Sequence, residues 1–322
     1  MSELHKFIFD GLPVRGMLVR LTDSWQEILK RRQAAGGYPV EVMHLLGEMT
    51  AAGALMQSNI KFNGALVLQI FGDGPVKLAV AEVQPDLSLR ATATVTGVVD
   101  AGSTLSQLVN VNNEGRCAIT LDPKDKFPGQ QAYQGVVPLF GDSHEKIENI
   151  SEVLEHYMLQ SEQLDTKLIL AADGKLAAGL LIQRLPVKGT GNLEGQTDRD
   201  ANEDEIGKNE DYKRISILAS TLKREELLTL DVDTILHRLF WEEPHTRFEP
   251  LSPTFACSCS RDRVSNMLRG LGTEEIESII AERGAVGVTC EFCGATYNFD
   301  PVDAAQIFTA VDQQPPPPET VQ

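Results

Sequence analysis

The hydrophobic positions of the chain follow two periods, and together they predict an α+β protein. Residues 5–21 and 60–99 alternate apolar and polar side chains between glycine- and proline-containing turns, which is typical of antiparallel strands. Residues 41–57 instead repeat apolar side chains at helical spacing, at Val42, Leu45, Leu46, Met49, Ala52 and Met56. We therefore predict an N-terminal α+β core domain over residues 1–183, built from antiparallel sheets and helices.

The same reasoning places the remaining elements of this domain. Predicted helices cover residues 23–35 and 144–160, and predicted strands cover 65–71, 76–83, 89–99, 115–121 and 134–140. Residues 166–170 and 176–183 flank the Asp173-Gly174 turn and predict a β-hairpin.

The composition changes sharply after this hairpin. Residues 188–211 contain eight acidic and three basic residues and almost no apolar ones, so they cannot bury enough surface to offset their ordering entropy. We predict a disordered acidic insertion there. Helices are predicted over 212–219, from Ser220 or Thr221 onward, and over 233–242.

Four of the five cysteines lie close together in the sequence, as Cys257, Cys259, Cys290 and Cys293. Four thiolates at about 2.3 Å complete the tetrahedral shell of Zn²⁺. Apolar residues flank the second pair, as in a hairpin with a metal-holding turn, and helices are predicted over 261–269 and 273–283, ending at Gly270 and Gly284. Residues 249–300 are thus predicted to form a small C-terminal four-cysteine zinc module with one zinc ion. Residues 301–322 are predicted to hold a last helix, 302–311, and a proline-rich tail.

The spacing within each cysteine pair allows two interpretations. A C-x-C pair is rarer in zinc sites than C-x₂₋₄-C, and either pair could also close on itself as a disulfide. Local disulfides Cys257–Cys259 and Cys290–Cys293 would eject the metal and close almost no loop, whereas the metal ties distant segments together. Oxidation would then loosen the module, as in a redox switch. A purely structural zinc site fits the same spacing.

Several motifs resemble the heat-shock protein 33 family of redox-regulated holdase chaperones. The similarity is carried by residues 255–263 with 290–294, by the linker segment 235–243, and by Tyr133-Gln134-Gly135-Val136-Val137, residues 161–166, Leu46-Gly47-Glu48 and Phe71-Gly72-Asp73-Gly74-Pro75. It covers residues 5 to 300.

The resemblance implies an ATP-independent holdase that is not an enzyme. Zinc would be bound by Cys257, Cys259, Cys290 and Cys293 in the reduced state. The resemblance also makes residues 184–248 a linker of metastable helices that contains the acidic insertion. Oxidation to the disulfides Cys257–Cys259 and Cys290–Cys293 would release zinc and unfold this linker. The resemblance further implies binding of unfolding client proteins, a homodimer of the oxidised form, and transfer of clients to ATP-dependent chaperones.

The net charge and the absence of certain motifs argue against several classes of function and partner. The net charge of −17 disfavours nucleic acid and anionic membranes as partners. The sequence contains neither a P-loop nor a G-x-S-x-G motif, so no ATP binding or serine hydrolase is indicated. No apolar run reaches the ~20 residues of a membrane span, and no secretion signal is recognisable. An odd number of cysteines favours a reducing compartment, so we expect a cytoplasmic protein, with Cys117 as a half-buried structural thiol.

Two alternatives to the chaperone remain open. A structural zinc ribbon could serve as a protein- or nucleic-acid-binding scaffold, although the acidic charge and the C-x-C pair argue against it. A thiol oxidoreductase could use Cys290 and Cys293, but the βαβ pattern of such enzymes is missing.

Overall fold

The computed structural model describes residues 1–33, 36–125, 132–141, 143–185 and 210–308. The chain divides into two compact units, Met1–Ala256 and Cys257–Gln322. Residues 249–256, which the sequence assigned to the zinc module, therefore lie in the first unit. Most of the predicted acidic insertion and the proline-rich tail lie outside the described residues.

The elements of the first unit are β1 Glu3–Phe9, β2 Val14–Leu21, α1 Asp23–Gln33, α2 Val40–Asn59, β3 Gly64–Phe71, β4 Val76–Val83, β5 Ser88–Val95, α3 Leu105–Val109, β6 Arg116–Pro123, β7 Tyr133–Pro138, α4 Ile150–Glu162, β8 Thr166–Ala172, β9 Ala177–Arg184, α5 described over 210–220, α6 Arg224–Thr229, α7 Val232–Phe240, β10 His245–Arg247 and β11 Thr254–Phe255. Those of the second unit are α8 Arg261–Leu271, α9 Thr273–Arg283, β12 Val286–Thr289, β13 Thr296–Phe299 and α10 Pro301–Phe308.

Two sheets form the frame of the first unit. One has the strand order β10-β1-β2-β9-β8 and is antiparallel throughout; the other has the order β11-β5-β4-β3-β6-β7 and is antiparallel except for the β11–β5 pair. The predicted α+β fold with antiparallel sheets is confirmed.

Helix α2 lies between the two sheets and contacts strands of both. Thirteen of its 20 residues are buried, because a helix covered on two sides must be apolar almost all round. Gly47 permits the closest approach: a Cβ atom there would lie 2.4 Å from the Cβ atom of Ala172 in β8. This helix therefore organises the main hydrophobic core.

Helices α5, α6 and α7 cover the other face of the five-stranded sheet. Phe7 and Phe9 of β1 are buried there against Phe240 of α7, and the Phe9 and Phe240 rings meet edge to face at 5.1 Å between centroids. Residues from the middle of the predicted linker thus contribute a second hydrophobic core.

A half-buried ion pair attaches α6 to α2. Arg224, the first residue of α6, donates from Nη1 to Oε1 of Glu48 at 3.0 Å and from Nη2 to the carbonyl oxygen of Ala172. Burial raises the pKa of Glu48 to about 7, although the Arg224 charge and hydrogen bond act in the opposite direction. The contact that the first residue of α6 makes with the core is therefore electrostatic, and it depends on the protonation state of Glu48.

Several predicted boundaries are wrong for tertiary reasons. The helix predicted over 144–160 begins only at Ile150, because residues 140 and 146 form a β-bridge and His144 has a φ of +62°. The helix predicted to begin at Ser220 or Thr221 begins at Arg224, where the Glu226 carboxylate accepts the N–H of Lys223 at 2.9 Å.

Other differences concern short elements. The helix predicted to end at Gly270 continues to Leu271 and ends at Gly272, whose φ of +93° favours glycine. Helix α3 and the short strands β10 and β11 were not predicted. The last helix is described only to Phe308, so the remainder of its predicted span lies outside the described residues.

The second unit has a small core of its own. Leu268, Ile276, Val286, Phe299 and Ile307 are buried together, drawn from three helices and both strands of the β12–β13 hairpin. The predicted hairpin beside the second cysteine pair is confirmed.

Candidate metal centre

Two segments of the second unit bring the four predicted cysteines together. Cys257 and Cys259 precede α8, whose first turn is capped by the Ser260 side chain accepting the N–H of Arg263 at 3.2 Å. Cys290 and Cys293 lie in the turn between β12 and β13. The four Sγ atoms lie within 4.8 Å of one another, so residues far apart in the sequence form one thiol cluster.

The sulfur positions match what a tetrahedral metal requires. Metal–sulfur bonds of about 2.3 Å place sulfur atoms about 3.8 Å apart. The Sγ atoms of Cys257 and Cys290 are 3.7 Å apart, and those of Cys259 and Cys293 are 3.3 Å apart. The four cysteines could therefore hold a metal ion without large rearrangement, and an all-sulfur donor set suits a soft or borderline ion.

The turn that carries the second pair is fixed by its backbone. Cys290 donates its N–H to the carbonyl oxygen of Ala295, and Gly294 donates to the carbonyl oxygen of Cys290, both at 2.8 Å. Gly294 has a φ of +71°, a conformation that glycine adopts without strain. Backbone N–H groups of Phe292 and Cys293 point to the Cys290 sulfur, and that of Ala295 points to the Cys293 sulfur. These donors favour sulfur in its anionic form.

Burial acts against the thiolate form. It raises the pKa of Cys293 to about 12, with contributions from hydrogen bonds to the other three cysteines, and it also raises the pKa of Cys290. Four neighbouring thiols do not ionise together without a compensating positive charge. A bound cation is the group that would hold all four as thiolates.

Tyr297 is a neighbour of the cluster that the sequence did not indicate. Its hydroxyl donates to the Sγ atom of Cys259 at 3.2 Å. Tyr297 lies on β13 opposite Val288 of β12, so the hairpin register places it beside the sulfurs. A sequence signal does exist, since a tyrosine four residues after the last cysteine lies on the strand that leaves the metal turn.

Arg261 and Arg263 form the rim of the cluster. Arg263 donates from Nη1 to the Ser258 hydroxyl at 2.6 Å. The Arg261 guanidinium lies 4.3 Å from the Phe299 ring centroid and forms an ion pair with Asp303 at 2.8 Å. These contacts tie the first cysteine segment to β13 and α10.

Cys117 plays no part in the cluster, because it lies on β6 in the first unit and is completely buried. It was predicted to be half-buried. Its position on an inner strand, opposite Ile70 of β3 and within the main hydrophobic core, explains the difference. Burial raises the pKa of Cys117 to about 12.

The fold and the thiol cluster together match a class of bacterial chaperones. The family model for the Hsp33 protein matches residues 2–300. The chain belongs to the Hsp33 family.

Individual relatives agree with this assignment. The chain is 45% identical over 308 residues to a 33 kDa chaperonin of Chromobacterium violaceum, covering 95% of this chain and 94% of the relative. It is 43% identical over 309 residues to a 33 kDa chaperonin of Methylobacillus flagellatus, covering 96% and 94%. The crystal structure of the 33 kDa chaperonin (heat shock protein 33 homolog) of Thermotoga maritima has the same fold, with a TM-score of 0.72, 20% identity, and coverage of 95% of this chain and 97% of that one.

No helix within the described ranges is long and apolar enough to cross a membrane.

Proposed function

We propose that this protein is a redox-regulated, ATP-independent holdase that binds unfolding proteins under oxidative stress. The observation that carries the proposal is the cluster of four sulfurs from two distant segments, at spacings suited to a tetrahedral ion. Membership of a chaperone family supports the client class, namely unfolded proteins.

Zinc is the proposed ion, one per chain, with Cys257, Cys259, Cys290 and Cys293 as ligands in the reduced state. An all-thiolate tetrahedral shell is the usual structural zinc site. When bound, zinc would supply the positive charge that keeps the four sulfurs ionised and would tie the Cys257 segment to the β12–β13 turn.

Oxidation would then proceed on the sulfurs of the chain. One thiolate attacks peroxide, becoming a sulfenic acid and releasing water after protonation. The second thiolate of the pair attacks the sulfenic sulfur, and water leaves as the disulfide forms. Two thiols and one peroxide thus give one disulfide and two waters, and each cysteine pair needs one peroxide.

We propose that the disulfides form within the pairs, as Cys257–Cys259 and Cys290–Cys293. Two sulfur contacts run between the pairs, at 3.7 Å for Cys257–Cys290 and 3.3 Å for Cys259–Cys293, so disulfides between the pairs are the alternative to be tested. Cross-pair disulfides would keep the two segments joined after metal loss and would stabilise the second unit. Disulfides within the pairs leave the Cys257 segment and the β12–β13 turn unconnected after metal loss, as a redox switch requires.

Activation would end with unfolding of the linker, residues 184–248. Its helices cover the apolar face formed by β1, β2 and β9, and their release would expose Phe7, Phe9 and their neighbours. We propose that clients bind to surface uncovered in this way, that the oxidised form is a homodimer, and that clients pass to ATP-dependent chaperones. The protein would act in the cytoplasm, without catalytic activity of its own and without binding nucleic acid.

The test is light scattering from a heat-unfolding client, with zinc release counted in the same samples. Reduced protein and protein treated with peroxide at elevated temperature are compared. The switch predicts that only the oxidised, zinc-depleted form suppresses scattering. Equal suppression by both forms would make the zinc purely structural, and suppression by neither would favour the scaffold interpretation.

Two variants sharpen this experiment. Cys257→Ser combined with Cys290→Ser should weaken zinc binding and uncouple activity from oxidant. Cys117→Ser is the matched control, because it removes a thiol from the first unit and should keep the oxidant response. Normal oxidant control in the double variant would contradict the switch.

A further inference from the structure

A cavity in the first unit combines apolar walls with positively charged side chains. It has a volume of about 500 Å³, and among the residues that the structure describes its lining includes Lys6, Arg15 and Lys61 but no carboxylate. Small-molecule sites in proteins have volumes of roughly 300–1,000 Å³ and mostly apolar linings with a few polar groups. The cavity therefore has the size and character of a ligand site, in a chain whose net charge is −17.

Lys6 and Arg15 lie side by side on neighbouring strands. In the β1–β2 register, Lys6 faces Met17 and Ile8 faces Arg15, so both cations lie on the same face of the sheet. Burial lowers the pKa of Lys6, and the Arg15 charge lowers it further. Two like charges held together in a partly buried place favour the binding of an anion.

The partners of these two cations are neutral. Lys6 donates from Nζ to the carbonyl oxygen of Ser58. Arg15 donates from Nε and Nη2 to Oε1 of Gln183 at 3.2 and 2.5 Å. Two acidic residues are adjacent in sequence to the lining: Asp86, whose carboxylate accepts the backbone N–H of Ser88, and Glu249, which is exposed.

Two other partly buried arginines of this unit pair with carboxylates, whereas a third, Arg20, donates to the carbonyl oxygen of Leu227. Arg90 pairs with Glu82 at 2.6 Å, and Arg184 pairs with Asp165 at 2.6 Å. Lys6 and Arg15 have no such partner among the residues that the structure describes.

The apolar walls of the cavity indicate that the anion has an apolar part. Ile8, Phe62, Leu185, Phe248 and Leu251 line the cavity with hydrocarbon. A hydrated dianion such as phosphate would lose solvation against these walls without enough donors to replace it, because Gln183 already occupies two nitrogens of Arg15. A carboxylate on a short apolar chain matches both the walls and the remaining donors.

We propose that this cavity binds a small amphiphilic carboxylate, with its apolar chain against the hydrocarbon walls and its carboxylate on Lys6 and Arg15. Lys61 adds positive charge from the exposed side. This site is separate from the thiol cluster and does not depend on the redox function.

The position of the cavity gives the ligand a regulatory role. Leu185 lies at the start of the proposed linker, and Phe248 and Leu251 follow strand β10 at its end. Phe248 donates its N–H to the carbonyl oxygen of Lys6 at 2.9 Å, and Leu251 exchanges two backbone hydrogen bonds with Leu4. A ligand that contacts both Lys6 and Phe248 stabilises the state in which the linker end is paired with β1. This second step rests on the proposed function, whereas binding itself does not.

The binding test is titration calorimetry of the full-length, reduced, zinc-loaded protein with sodium octanoate. Octanol, which lacks the charge, and inorganic phosphate, which lacks the chain, are the matched ligands. We expect octanoate to bind more tightly than either. Equal binding of octanol would show that the cations are not used, and equal binding of phosphate would show that the walls are not used; either result overturns the proposal.

Charge-removing variants locate the contact. Lys6→Gln and Arg15→Gln should each weaken octanoate binding about tenfold, the usual effect of losing one charge-assisted hydrogen bond. Lys213→Gln is the control, because Lys213 is exposed and already paired with Glu210 at 3.0 Å. Unchanged binding in both cavity variants would refute the site.

Hydrogen exchange of the wild-type protein gives a readout that does not depend on any variant folding. Octanoate should slow amide exchange in residues 245–251 and 57–62, which border the cavity. Protection confined to other segments would overturn the assignment. Failure of the oxidant-dependent holdase assay would leave these binding results unaffected, so the two proposals fail separately.

Discussion

Replacing Glu48 by glutamine should stabilise the first unit at alkaline pH and leave it little changed at acid pH. Glu48 lies on α2, its side chain is 19% exposed, and it accepts a hydrogen bond from Arg224 at 3.0 Å. Burial raises its pKa from 4.5 to about 7, so below about pH 7 the neutral acid is the favoured form in the folded protein. Glutamine imitates that neutral form and still offers an oxygen to Arg224.

The magnitude follows from the difference in proton binding. Between about pH 4.5 and 7 the folded protein holds a proton on Glu48 that the unfolded chain has lost, so stability falls as pH rises through this window. The stabilisation of the folded state by this bound proton is fully present below about pH 4.5 and is lost as the pH rises past about 7. The full shift corresponds to about 3 kcal/mol. The difference in the free energy of unfolding, Glu48→Gln minus the parent protein, should therefore increase by about 2 kcal/mol between about pH 5.5 and pH 8.

Urea unfolding followed by tryptophan fluorescence measures this difference. Trp25 is buried in the first unit and donates from Nε1 to the carbonyl oxygen of Asp173 at 2.8 Å, so its emission reports loss of the core. Trp241, the other tryptophan, is 68% exposed, and Trp241→Phe removes its signal from all proteins compared.

The control is Glu27→Gln. Glu27 forms a surface ion pair with Arg31 at 2.8 Å, one helical turn away, and its replacement should cost less than about 1 kcal/mol at either pH. The reasoning is refuted if Glu48→Gln and its parent keep a constant difference across the pH range. It is also refuted if the variant is several kcal/mol less stable at alkaline pH, because the ionised pair would then stabilise the fold despite its burial.

Three further outcomes are expected. Tyr297→Phe removes the hydroxyl that donates to Cys259 at 3.2 Å and should lower zinc affinity about tenfold in competition with a chromophoric chelator; an unchanged affinity would show that the contact is incidental. Phe240→Ala should lower the free energy of unfolding by about 3–5 kcal/mol, because Phe240 is 1% exposed and packs edge to face on Phe9; a urea midpoint equal to that of the parent would contradict this role. Cys117 should resist iodoacetamide in the folded protein and react only in urea, since burial raises its pKa to about 12; rapid labelling of the native protein would be inconsistent with its position.

The proposed disulfide pairing has a direct chemical test. Trypsin cleaves after Arg247, Arg261 and Arg283 and releases one pair in residues 248–261 and the other in residues 284–322. Local disulfides leave two separate peptides, each lighter by its two thiol hydrogens. Cross-pair disulfides would join the peptides into a single species, and finding that species as the main product would refute the proposed switch chemistry.

Local sequence patterns predicted those helices and strands whose conformation depends mainly on residues nearby in the chain. The apolar repeat over residues 41–57 predicted α2, and glycine- and proline-containing turns separated the strands β3, β4 and β5 correctly. The sequence did not predict elements whose existence or bounds depend on pairing with another segment of the chain. Strand β10 has only three residues and exists because β1 offers it an open edge. Likewise, the β-bridge between residues 140 and 146 delays the start of α4.

The sequence by itself determined which side chains could form a metal site, because the number and spacing of the cysteines are local facts. Tertiary structure alone decided that Cys257 lies beside Cys290 and that Tyr297 contacts Cys259. The same holds for the Glu48–Arg224 pair, whose members are 176 residues apart, and for the cations that share one cavity. Spacing along a chain specifies the neighbours within a turn or strand, whereas contacts between distant segments depend on how sheets and helices pack. For this reason the residues of the proposed switch could be read from the sequence, whereas the contacts that tune and restrain it could be found only in the folded protein.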